Sequence, residues 1–341
     1  MRLNIFGFGS GAKDASAADV NDFAPTEAQS LGDGFLKGAQ SGSRKGASKT
    51  ASGTSKTRSS RRAQVPPPTT ESLKKRVKWL LAHLEEFRQR LEPALEAGNT
   101  EEFVLVMKNY LAFIAAYSDV AAYDAFELGP AYPEFQKFFY RATLEFTWRM
   151  EEKAFAEIAA AELQPWQRMK EVVSECIAGS YSRMEELQEL VDLSQFRSIV
   201  MLGCGKVPAS LFYLQDHTNI PAIVGIDTSQ EAVDCSNALV TKFKLDRVRV
   251  LKADAATFDY SFFDAIYFDP FATPRMEILK QIRATARPNS TIILREPQFT
   301  GSLAFERILP FMQPAFNLLK AGDPKKYLGR FMLRHYVLKP R

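Results

Sequence analysis

Apolar positions along this chain change their period near residue 191. From about Thr70 to Val191 they recur at helical spacing. Leu73, Val77, Leu80, Leu81 and Leu84 mark a first helix that Thr70 or Ser72 can cap. Gly98-Asn99 breaks it, and Thr100 is read as the cap of a second helix carrying Phe103, Val106, Met107, Tyr110, Leu111 and Ile114. Beyond the turn signals Gly129-Pro130 and Pro133, an aromatic helix holds Phe135, Phe138, Phe139, Leu144, Phe146, Trp148 and Phe155. Gln164-Pro165-Trp166 interrupts it, and Met169 to Leu190 forms the last helix of this half. Aromatic residues on such stripes are read as core.

From Arg197 onward the pattern alternates between short apolar runs and helical segments. Strands are predicted at Ser198–Leu202, Ala222–Ile226, Val248–Lys252, Ala265–Asp269 and Ser290–Leu294. Helices are predicted near Pro208–Gln215, Gln230–Phe243 and Met276–Thr285, and two late segments, about Phe311–Ala321 and Phe331–Leu338, supply further strands. This alternation specifies an α/β fold with a mostly parallel, doubly wound sheet. The expected division is a tail over 1–68, an all-helical domain over 69–191 and the sheet domain over 192–341.

Composition changes the picture mainly at the N-terminus. Residues 38–62 are almost entirely Ser, Gly, Ala, Thr, Lys and Arg, too polar to offset their ordering entropy. The segment is read as a disordered basic tail, a solvated extension rather than a tether to an acidic partner, and Val65-Pro66-Pro67-Pro68 is a stiff spacer. Asp14, Asp19, Asp22, Glu27 and Asp33 argue against an organelle-targeting peptide. The net charge of +4 over 341 residues is mild, so no nucleic-acid surface is expected on the folded part. Cys176, Cys204 and Cys235 form neither a disulfide framework nor metal-type spacing, which points to a reducing cytoplasm. His83, His217 and His335 are scattered and suggest no metal site. No apolar run approaches the roughly 18 residues of a membrane span, so the expected partner is a small molecule. Oligomeric state is left open.

The stretch Ile199 to Asp227 carries the chemistry. A buried strand breaks at Gly203-Cys204-Gly205, a helical segment follows, and a second short strand ends in Asp227. An acid about 20 residues beyond such glycines grips a ribose hydroxyl in βαβ nucleotide-binding units. Pro208 stands where a dinucleotide fold wants its third glycine. The shorter motif resembles that of class I S-adenosylmethionine-dependent methyltransferases, with a Rossmann-like sheet whose two late strands are antiparallel. A nicotinamide-binding domain and a purely structural turn are the alternatives. The resemblance implies that Gly203, Cys204 and Gly205 run beside the methionine part of S-adenosylmethionine. Asp227, with Thr228 next to it, would hold the ribose, and Asp254-Ala255 would meet the adenine. Asp269 and Pro270 would face the reacting end. Cys204 is a turn-filler, not a nucleophile, because no histidine is placed to activate it.

The loop Leu202–Ser210, with its Pro and Ser after the glycines, further resembles that of nicotianamine synthases. Tyr181-Ser182-Arg183-Met184-Glu185 is similar to that family's Tyr-x-x-x-Glu helix, and both place helices before the sheet. The chain departs from the pattern at Cys204, Lys206 and Asp269-Pro270. The resemblance implies displacement at the γ-carbon of the aminobutyrate arm with release of methylthioadenosine, by an external amine or by ring closure to azetidine-2-carboxylate. Tyr140, Phe139, Trp148, Tyr181 and Phe271 are candidates to steady the sulfonium, and Glu185 or Glu145 to take the amine's proton. Conventional methyl transfer to a small molecule is the alternative, and a non-catalytic S-adenosylmethionine-binding scaffold is a third possibility.

Overall fold

Strands buried on both faces must be covered by helices on both sides, and here four such strands lie parallel with a fifth, half-exposed one at the edge. β1 (Ser198–Leu202) pairs with β2 (Ala222–Asp227) on one side and β4 (Ala265–Phe268) on the other. β3 (Val248–Lys252) extends the sheet beyond β2, and β5 (Thr291–Pro297) extends it beyond β4. β7 (Leu333–Pro340) then runs antiparallel to β5, and β6 (Phe316–Ala321) forms the edge, giving the order 3-2-1-4-5-7-6. The crossover helices are α6 (Ala209–His217), α7 (Gln230–Lys242) and α8 (Arg275–Thr285). Strand order reverses at β1, so a crevice opens beyond the carboxyl ends of β1 and β4.

The computed structural model describes residues 70–98, 100–162, 175–312, 315–323 and 333–341, without the side chains of 175–178. The expectations for the 1–68 tail, the Gln164–Trp166 interruption and the start of the last helix at Met169 lie outside the described residues. All described residues fall in one compact unit spanning Ala63–Arg341.

Among the described residues five helices precede the sheet: α1 (Leu73–Glu96), α2 (Thr100–Ala116), α3 (Val120–Glu127), α4 (Tyr132–Ala160) and α5 (Glu175–Leu190). Apolar spacing does not separate α3 from its neighbours. Asp119 does so by accepting a hydrogen bond from Ala122 N at 3.1 Å and pairing with Arg76 at 2.6 Å. Thr100 is the first residue of α2, not its cap. Phe311, expected in a late strand, sits in the short α9 (Leu309–Met312), and β6 starts at Phe316.

Helix α4 matters most, because it belongs to two hydrophobic cores. Phe135, Phe139, Ala142 and Phe146 pack in the helical core, where Phe139 stacks on Tyr110 at 4.1 Å. Ala154 and Ile158, further along, pack in the core beneath the sheet. Lys242 Nζ donates to the carbonyls of Ala159 and Ala161, each at 2.7 Å, and fastens the end of α4 to α7.

The chain after β5 locks the helices over the sheet. Thr300 donates to Ile114 O at 2.7 Å, and the Ser302 hydroxyl meets those of Tyr123 at 2.6 Å and Tyr132 at 2.9 Å. Glu296, fully buried, accepts from the backbone of Ile308 at 2.7 Å and Leu309 at 2.8 Å, and pairs with buried Arg275 at 3.3 Å. Removing one partner of such a buried pair strands the other charge. Glu296→Ala is therefore expected to cost about 3–5 kcal/mol in chemical denaturation, and a loss below about 1 kcal/mol would contradict this role.

Candidate active site

A cavity of about 550 Å³ lies between the carboxyl ends of the strands and helices α2, α4 and α5. That size suits a ligand of a few dozen heavy atoms. Its floor is the turn after β1. Gly203 and Gly205 adopt φ of +70° and +68°, values in which a side chain is strained. The turn is tied to β2: Gly203 N donates to Ile226 O at 2.9 Å, and Gly205 N to Asp227 Oδ2 at 3.0 Å. The other carboxylate oxygen of Asp227 accepts from Ser229 N at 2.9 Å. Asp227 is thus held rigid at the strand end while still forming part of the cavity wall.

Glu151 on α4 comes down onto this turn. Its Oε2 accepts from Lys206 N at 3.1 Å. Both carboxylate oxygens lie where a Cβ on Gly205 would be only 2.6 Å away, so the close approach depends on glycine. Glu151 keeps some accessible surface, on the cavity side. Burial of its carboxylate outweighs the Lys206 hydrogen bond, and nearby Asp269 and Asp227 add repulsion, raising its pKa to about 7. A carboxylic acid that titrates near neutrality inside a cavity is suited to proton transfer.

The remaining wall carries cations and rings. Asp269 beyond β4 accepts from buried Arg295 at 2.9 Å and from Phe271 N at 3.1 Å. Arg183 and Ser180 of α5 line the cavity, as do Trp148, Phe271 and Phe305. Lys206 Nζ lies 4.7 Å above the Trp148 ring and pairs with Glu231 at 2.7 Å. Burial pushes the Cys204 thiol well above its ordinary range, in keeping with a turn-filling role. Among the described residues, no cluster of three His, Cys, Asp or Glu side chains could hold a metal ion, and no single helix is long and apolar enough to cross a membrane.

Of the residues singled out from sequence, Trp148, Gly203, Cys204, Gly205, Asp227, Thr228, Asp269 and Phe271 come together on the cavity wall, whereas Phe139 is buried in the helical core. Asp254, Ala255 and Pro270 do not reach the wall. Asp254 is exposed and accepts from Ala256 N at 2.8 Å, and the Ala255 carbonyl accepts from the Tyr260 hydroxyl at 2.6 Å. Their turn is still anchored to the Asp227 carbonyl by Ala253 N at 3.0 Å. The four candidate catalytic side chains also lie off the wall. Tyr181 donates to Asp216 at 2.9 Å, Glu185 is exposed, Glu145 pairs with Arg149 at 2.7 Å, and Tyr140 hydrogen-bonds Thr273.

Helical phase explains the difference. Leu144, Thr147, Trp148 and Glu151 follow i, i+3, i+4, i+7 and all line the cavity. Glu145, six residues before Glu151, points about 120° away around the helix. On α5 the wall face is Gly179, Ser180 and Arg183, whereas Tyr181 and Glu185 share a different face. The sequence therefore did hold a signal for Glu151, an acid in phase with the aromatic stripe.

No protein-family model and no curated protein sequence matches the chain. Among solved structures, it is similar to MtNAS in complex with MTA and tNA, with a TM-score of 0.66 and 14% identity over 77% of this chain and 98% of that one. A point mutant of MtNAS with S-adenosylmethionine gives a TM-score of 0.62 at 14% identity, over 75% of this chain and 97% of that one. A further structure of the same mutant gives 0.65 at 13%, over 76% and 97%. MtNAS is a nicotianamine synthase. At such identity the likeness is one of fold. The chain has the class I S-adenosylmethionine-dependent methyltransferase fold with a helical region in front, the arrangement found in nicotianamine synthase.

The contact between Gly205 and Glu151 can be tested by a double-mutant cycle. Gly205→Ala is expected to destabilise the protein by roughly 1 kcal/mol of left-handed strain plus the clash with the carboxylate. In a Glu151→Ala background only the strain should remain. Equal penalties in both backgrounds, measured by urea denaturation, would show that the two residues do not interact.

Proposed function

We propose that the chain is an enzyme that binds S-adenosylmethionine in this cavity. In this reading it displaces at the γ-carbon of the aminobutyrate arm and releases methylthioadenosine. The observation that carries the reading is Glu151: a carboxylate with a pKa of about 7, set against the turn that ends β1 and beside Asp227. The MtNAS structures with S-adenosylmethionine and with MTA add support through the shared fold.

Each group has a part in this scheme. Asp227 accepts the two ribose hydroxyls through lone pairs left after Gly205 N and Ser229 N are served. The β1 turn runs beside the methionine portion. Glu151 and Asp269 face the sulfonium with negative charge, and Trp148, Phe271 and Phe305 offer ring faces to it. Glu151, ionised, takes a proton from the attacking ammonium and frees its lone pair. The amine nitrogen then bonds to the γ-carbon, and the carbon–sulfur pair passes to sulfur, leaving a neutral thioether. The attacker is either an external amine or the arm's own α-amine, which closes azetidine-2-carboxylate. The site selects among the three carbons on sulfur by alignment, not by intrinsic reactivity.

Incubation with S-adenosylmethionine alone, followed by mass spectrometry, is expected to yield methylthioadenosine. Azetidine-2-carboxylate as co-product would mean ring closure, whereas a requirement for an added amine would mean transfer. Formation of S-adenosylhomocysteine alone would replace this reading with methyl transfer. Asp227→Ala should weaken S-adenosylmethionine binding by at least about tenfold. Turnover should rise with pH through about 7 as Glu151 ionises, and Glu151→Gln should abolish that limb; an unchanged profile would remove Glu151 from the chemistry.

A further inference from the structure

Lys206 follows the glycines of the β1 turn, and Glu151 calls only on its backbone N–H. Its side chain is nevertheless buried, although a lysine at a turn ordinarily reaches into water. The ammonium lies 4.7 Å above the ring of Trp148 on α4 and donates to Glu231 on α7 at 2.7 Å. Residue 206 thus meets α4 twice, because Glu151 and Trp148 stand three residues apart on the same face of that helix. The turn meets α7 once more where Ser236 Oγ donates to Gly205 O at 2.6 Å.

Burying an ammonium is costly unless partners replace the water it loses. Glu231 supplies a charge-assisted hydrogen bond and the indole a cation–π contact. Burial opposes the charge, but Glu231 first, then Glu152 and Cys235, outweigh it, and the Lys206 pKa stands above its ordinary value. The cation therefore persists throughout the neutral range. Two cores fix α4, whereas the glycines that admit Glu151 also leave the turn other backbone conformations. What remains to be set is the place of the turn against the helix. The Trp148 ring, half-exposed at the cavity, needs a hold as well.

We propose that Lys206 is a positioning residue for proton transfer: its ammonium, clasped by Trp148 and Glu231, fastens the β1 turn to α4 and holds the Glu151 carboxylate and the Trp148 ring in place on the cavity wall. This deepens the S-adenosylmethionine reading, and its kinetic half rests on that reading. Asp227 has its own bonds to Gly205 N and Ser229 N, so the sugar end of the site does not depend on the ammonium.

A cation that acted on Glu151 by charge alone would leave the opposite signature. Glu151 faces Asp227, Asp269, the Cys204 thiol and Lys206. Burial dominates its pKa and raises it, Asp269 and Asp227 add to the rise, and Lys206 draws it down through the N–H bond and through charge. Loss of the charge alone would therefore move the midpoint upward from about 7. Loss of the clasp admits water to the carboxylate, removes the dominant cause and moves the midpoint down toward 4.5.

Lys206→Met in the full chain tests the assignment by carbon-13 titration of Glu151 in the ligand-free protein and by steady-state release of methylthioadenosine from S-adenosylmethionine. The midpoint is expected to fall by at least about one pH unit, and kcat to fall by at least about tenfold while KM changes less than about twofold. Lys206→Arg, which keeps a cation for the indole and for Glu231, should restore most of both. Should Lys206→Met lack a cooperative melt, Glu231→Gln carries the test, since it alters an exposed side chain and should lower the midpoint by a smaller amount. A midpoint that stays or rises overturns the proposal, as does a rise in KM at unchanged kcat. A wild type that forms no methylthioadenosine sinks the reading of the reaction, whereas the Glu151 midpoint still decides the role of Lys206.

Discussion

One contact governs the rest of this site: the carboxylate of Glu151 resting on the bare backbone of Gly205 and accepting from Lys206 N at 3.1 Å. The two partners are 55 residues apart and come from different layers of the fold. The contact forms because α4 packs in the helical core with its first half and beneath the sheet with its second, so its middle has little freedom. Burial there raises the cost of ionising the carboxylate, and Asp227 and Asp269 raise it further. Tertiary packing thereby turns an ordinary helical glutamate into a group able to exchange protons near pH 7.

The cavity around that contact is lined by charged and aromatic side chains. Glu151 on α4, Asp227 at the end of β2 and Asp269 beyond β4 bring carboxylates to it, Arg183 and Arg295 bring guanidiniums, and Trp148, Phe271 and Phe305 bring aromatic rings. Such a lining offers partners to a small ligand that carries charges of both signs. It does not match a dinucleotide, since Pro208 stands where a pyrophosphate-binding loop needs glycine and opens α6 without a side-chain cap. The same fold thus accommodates different chemistries, and the site decides among them.

Much of the sheet half was legible in the sequence. Its strands are short, local and separated by clear breaks, and Gly203, Gly205 and Asp227 are brought together by a single βαβ unit. The helical half was less legible. Apolar stripes reveal helices but not which face meets the sheet, so Tyr140, Glu145, Tyr181 and Glu185 looked as eligible as Glu151. The structure distinguishes them by phase: Glu145 lies on the face shared with Arg149, and Tyr181 turns toward Asp216. Arg295 was missed for a similar reason, because a strand pattern does not show which buried arginine faces a cavity. Helix α3 went unseen because Asp119, not an apolar period, starts it.

The most direct measurement is the titration of Glu151 itself, by carbon-13 NMR of labelled glutamate carboxyls in the ligand-free protein, with Glu151→Gln identifying the signal. The account predicts a midpoint near 7. A midpoint near 4.5, the ordinary glutamate value, would mean that the carboxylate is solvated and off the Gly205–Lys206 turn, and the proposed base would be lost with it.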